Sequence, residues 1–157
     1  MPTKKLLDPA LDTQNLKSLY DRDFMNWVET TAQLLKEQKF AALDLENLIE
    51  EIEGMGRSNK SALRSNLIVV LMHLLKWQYQ VDKRSNSWKF TIREHRRRLD
   101  EDFEDSPSLK VYCLEILAKC YQNARNLAAD ETGLNLRIFP VESPFSIEQV
   151  LDSEFLP

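Results

Sequence analysis

Glu46, Glu50 and Glu53 stand at successive spacings of four and three residues, which puts three carboxylates on one side of a helix. Carboxylates crowded beside a buried stripe repel one another unless cations pair with them or a metal is shared between them. Hard divalent ions such as Mg²⁺ or Mn²⁺ suit an all-oxygen ligand set of that kind. His73 would complete the cluster if the segment carrying the glutamates folds back on the segment carrying the histidine. His73 and His95 are the two imidazoles of the chain, and either is a candidate general acid or base near neutral pH. Together these residues would make a metal-dependent hydrolase or nuclease, with Arg93 or Arg96 holding a phosphate.

Each of these residues also has a plainer role. Glutamates at helical spacing commonly form a solvated or ion-paired face, and a histidine on an apolar face is commonly a neutral, hydrogen-bonded core group. Neither His73 nor His95 has an acid three residues before it, so the Glu-x-x-His pairing of di-iron bundles is missing. Two histidines exclude a three-histidine zinc site within one chain. The run Arg93-Glu-His-Arg-Arg-Arg98 is basic, but Glu101 and Asp102 stand four residues after Arg97 and Arg98. Such a helix mostly cancels its own charge, which disfavours nucleic acid as a partner. No P-loop, dinucleotide fingerprint, zinc-ribbon spacing or Gly-x-Ser-x-Gly is present.

The elements that must position these residues are helices. Between Leu63 and Tyr79 apolar residues cover nearly every side, which marks a central helix buried on several faces. Its unbroken apolar run is too short to span a bilayer. A first helix is expected from Asp21 to about Gln38. A second runs from Leu45 to about Glu53, capped by Asp44 and stapled by Leu43 and Leu48, with Leu45, Leu48, Ile49 and Ile52 as its apolar stripe. Gly54 and Gly56 mark either a break before the central helix or a point within one continuous bent helix. A fourth helix carries Trp88, Ile92, His95, Leu99 and Phe103 on one seam, and a fifth starts at Ser106-Pro107 and stops at Gly133. Residues 134–144 should run extended, and Ser146 with Gln149 forms a capping box for a short last helix.

The expected fold is therefore all-α: an irregular bundle of about five main helices around a central buried helix, with an extended C-terminal arm and a short terminal helix. Residues 1–17 read as a loose N-terminal arm and 18–157 as a single helical domain. At 157 residues and a net charge of −4, the chain is long enough for one real core and has no global field for anions. No signal peptide is visible at its start, so a cytoplasmic location is the default. Cys113 and Cys120, seven apart on one helix, lie too far apart to bridge and read as reduced core residues.

Several ordered blocks carry a resemblance. Tyr20-Asp-x-Asp23-Phe-x-x-Trp27, the Leu43–Glu53 block, His73-Leu-Leu-Lys-Trp-Gln-Tyr79, Ser87-Trp-x-x-Thr-Ile92 and Ser106-Pro-Ser-Leu109 resemble the domain-of-unknown-function family number twenty-nine. Glu131-Thr-Gly-Leu134 and the closing Phe139-Pro with Phe155-Leu-Pro157 extend the likeness over about residues 18–157. The resemblance implies an all-α fold and a bacterial, mostly cyanobacterial, setting; it brings no activity, cofactor or catalytic residue. On the residues alone, the leading expectation is a protein-binding module without chemistry of its own, with the metal-dependent hydrolase as its rival and a scaffolding homo-dimer as a third reading. The expected partner surface is an apolar patch around Ile138, Phe139, Val141 and Phe145.

Overall fold

The computed structural model describes residues 13–157, and all regular structure among them is helical. The α-helices are α1 (Thr13–Arg22), α2 (Phe24–Lys36), α3 (Leu45–Tyr79), α4 (Asn86–Asp105), α5 (Leu109–Thr132) and α6 (Ile147–Leu151). Helix therefore begins inside the segment read as a loose arm, while the rest of that arm, residues 1–12, lies outside the described residues. The chain divides into two compact units, residues 1–56 and 57–157.

In the first unit the expected single helix from Asp21 is two. Asp23 interrupts it: its φ of −152° is not helical, and its side chain accepts from the Asn26 N–H at 3.1 Å, capping α2. Gln38, at φ 58°, turns the chain out after α2. Leu16, Trp27, Leu34 and Leu43 are the buried centre, with Tyr20, Val28 and Leu48 packed against them. Tyr20 meets the Trp27 ring edge-on at 5.0 Å, and Phe24 stacks on it at 5.7 Å. Asp44 is fully buried at the head of α3. It accepts from Trp27 Nε1 at 3.3 Å, from Asn47 Nδ2 at 2.6 Å and from the Asn47 N–H at 3.4 Å. Cap and core anchor are one residue.

Between the two readings left open at Gly54 and Gly56, the structure takes the continuous one: α3 passes through both glycines without a cap. Helix-interior glycine costs about 1 kcal/mol relative to alanine. A Cβ built on Gly56 meets nothing within 4 Å. Gly56→Ala is therefore expected to raise stability by about 0.5–1 kcal/mol in urea denaturation.

The second unit is built on the later turns of α3. Leu63, Leu67, Val70, Leu71, Leu74 and Leu75 have no exposed surface, as the all-round apolar pattern requires. Ile92, Leu99 and Phe103 of α4 and Cys113, Cys120, Tyr121, Ala124 and Ala128 of α5 close the same core. Ser85 caps α4 by accepting from the Trp88 N–H at 3.2 Å. The fifth helix starts at Leu109, later than Ser106-Pro107 suggested, because Ser106 is spent ending α4 and Pro107 lies in the turn between them. Gly133 ends α5 in the left-handed region, φ 70°. Both cysteines are free and buried, and burial pushes the Cys113 thiol up to about 11.

Within residues 134–144, expected to run extended, Leu136–Ile138 form a 3-10 helix, and side chains of α5 tie the arm down. Tyr121 donates to the Pro140 carbonyl at 2.6 Å, and Arg125 donates to the Phe139 and Leu136 carbonyls at 2.9 and 3.1 Å. Phe139, Phe145 and Val150 enter the core. The capping box of Ser146 and Gln149 is present. No helix among the described residues is long and apolar enough to cross a membrane.

Candidate functional site

Catalysis by the glutamates and histidines would need them together. Glu46 pairs with Lys17 at 2.9 Å. Glu51, the acid facing away from the other three, accepts from the Tyr20 hydroxyl at 2.5 Å. Glu46, Glu50 and Glu53 lie on the early turns of α3, in the first unit, and His73 lies on a later turn of the same helix, in the second. Among the described residues no three His, Cys, Asp or Glu side chains are grouped so as to hold a metal ion.

Both histidines lie in the second unit, and each is hydrogen-bonded within it. His73 Nδ1 lies 2.9 Å from the Val69 carbonyl, which accepts only, so the hydrogen sits on Nδ1. His95 Nδ1 lies 2.7 Å from Asn66 Oδ1. Burial, first among the causes, pushes both imidazoles below their ordinary value of 6.5. The linkage has a definite sign. Above pH 6.5 both the folded and unfolded His73 are neutral; below it the unfolded chain takes up a proton that the folded one resists. Stability should fall as the pH drops from about 7 to about 5, and His73→Gln should flatten that part of a melting-temperature profile. An unchanged slope in the variant would assign the pH effect to other groups.

The arginine run is likewise committed to structure. Arg97 pairs with Glu94 at 2.8 Å and with Glu101. Arg98 turns back to Glu94 at 3.1 Å and not forward to Asp102. These two arginines hold the Glu94 carboxyl down to about 2. Arg96, assigned from the sequence to an outer face and a phosphate, is buried, and its guanidinium donates to the Val150, Phe155 and Gln149 carbonyls at 2.8, 2.8 and 3.0 Å. It holds the C-terminal arm. The helix-wheel placement failed because the arm, with no period of its own, covers that side of α4.

The expected apolar patch on the arm is also corrected. Phe139 and Phe145 are buried in their own unit, which leaves only Ile138 and Val141 exposed.

A larger exposed apolar surface lies among the described residues of the first unit. Of the stripe Leu45, Leu48, Ile49 and Ile52 on the early turns of α3, Leu48 alone reaches the core; Leu45, Ile49 and Ile52 are exposed, and so is Met55 beyond them, the last two by 60 and 67%. About three turns of apolar side chain are more than the small core of this unit covers. Ile52, Met55 and Leu48 face Phe24, Val28 and Leu35 of α2 across an open groove of about 310 Å³. Trp27 floors it, and Thr31 lines it with a buried hydroxyl that has no hydrogen-bond partner among the described residues. Glu51 stands on its edge. Sequence reading missed the groove because helical spacing shows which residues share a face, not whether a neighbour covers it. Met55, one turn beyond Ile52, was the available signal that the stripe outruns its core.

Comparison with known proteins gives one match. The family model described as Domain of unknown function DUF29 matches residues 19–156, nearly the whole chain. No curated protein and no solved structure matches it.

Proposed function

This chain belongs to the DUF29 family, and we propose that it works as a protein-binding module that receives an amphipathic helix of a partner protein in the groove between α2 and the early turns of α3. One observation carries the reading: an exposed apolar stripe on a well-formed helix borders an apolar groove of about 310 Å³. Isolated exposed apolar residues are ordinary, whereas a contiguous face rimmed by charge marks an interaction surface. Helix-in-groove docking uses anchors at the same i, i+3, i+4, i+7 spacing that Leu45, Leu48, Ile49 and Ile52 present. We place this work in the bacterial cytoplasm, in keeping with two free, buried cysteines.

The test is selection of helical peptides from a displayed library against the full chain. Binders should lose affinity for Ile52→Asp and keep it for Leu114→Asp, an equally exposed apolar position on α5. Binders insensitive to Ile52→Asp would place the interaction surface elsewhere and end the reading.

A further inference from the structure

We infer that the helix this groove accepts is basic on its polar face, an inference that rests on the groove reading above and adds the chemistry of the partner. The stripe on α3 is fenced by carboxylates on both sides. From the helical spacing, Glu51, which accepts from Tyr20, borders it next to Met55, and Glu46, which pairs with Lys17, borders it with Glu53 next to Ile49. The wider surroundings have the same sign: residues 13–56 hold nine Asp and Glu against four Lys and Arg. The whole chain has a net charge of −4, so its acid surplus is concentrated in this unit.

An occupant laid along the groove sets its flanking residues against those carboxylates. Lys or Arg there gains attraction and a faster encounter, while acidic flanks are repelled. The same field disfavours a second copy of this chain as occupant, since a self-pairing would set Glu46, Glu51 and Glu53 against their own counterparts. It equally disfavours an anionic lipid surface or nucleic acid. An apolar seam thus supplies affinity, and the acidic fences supply the choice of partner.

The experiment uses two synthetic helical peptides, each about three heptads long, with the same leucine face and with either lysine or glutamate on the polar face. Each is titrated into the full chain and into Ile52→Asp, whose helicity is checked by circular dichroism; Ile52 is exposed, so folding should survive. The lysine peptide should bind at least about tenfold tighter than the glutamate peptide, with the gap shrinking as salt is raised. Glu46→Lys combined with Glu53→Lys should reverse the preference, and Ile52→Asp should abolish lysine-peptide binding. Equal binding of both peptides, lost for both in Ile52→Asp, would overturn the basic partner and leave the groove reading standing. Binding of the lysine peptide that ignores Ile52→Asp, or no binding of either peptide, would overturn both. A dimer in sedimentation that dissociates on Ile52→Asp would overturn the inference by naming a second copy as the occupant.

Discussion

Replacing Arg96 with methionine is expected to destabilise the chain by about 3–5 kcal/mol, the largest effect of any single polar substitution proposed for it. The guanidinium is 2% exposed and makes three hydrogen bonds to main-chain carbonyls of the C-terminal arm. Gln149 and Val150 lie at the end of α6, where carbonyls have no intrahelical donor, so the arginine satisfies acceptors that would otherwise be buried unmet. Methionine replaces much of the volume and none of the donors. Arg96→Lys keeps the charge but has no planar fork to reach three separate carbonyls, so it should recover little. Urea denaturation measures both; a loss below about 1 kcal/mol for the methionine variant would mean that water readily replaces the arginine.

Trp27→Ala is expected to cost about 3–5 kcal/mol and to unfold the first unit preferentially. Few side chains are buried there, and Trp27 is the largest of them. It packs against Tyr20 and Phe24 and also donates to Asp44, the residue that starts α3. Removal empties the core and strips a partner from a fully buried carboxylate at the same time. Trp27→Phe keeps most of the packing and loses only the donor, so it should cost about 1–2 kcal/mol. Circular dichroism follows the helix loss, and hydrogen exchange of residues 13–56 locates it. Equal effects of the two substitutions would show that the hydrogen bond, not the packing, holds the unit.

Helical periodicity made most of the fold legible. The central segment from Leu63 to Tyr79 is buried as its all-round apolar pattern demands, because a helix with no polar face has no stable solvent-exposed alternative. Caps were readable for a similar reason: Asp44 and Ser146 each satisfy donors that a helix start always leaves free. Features set by contacts distant in sequence were not readable. Arg96 looked like one more exposed arginine because the residues that cover it lie 53 to 59 positions away. The stripe of Leu45, Ile49 and Ile52 looked like core because spacing records a face and not its cover. Whether the chain breaks at Gly54 and Gly56 or passes through them was left open by spacing alone, and the structure takes the continuous helix.

Where a bound helix lands is the most direct test of the groove. Isotope-labelled full chain, titrated with the tightest peptide from the library selection, reports the contact surface through amide and methyl chemical shifts. The account predicts shifts concentrated at Phe24, Val28 and Leu35 of α2 and at Leu48, Ile52 and Met55 of α3, with the core of the second unit undisturbed. Shifts centred instead on Phe103, Leu114 and Ile147, which line the apolar hollow of about 250 Å³ in the second unit, would contradict it.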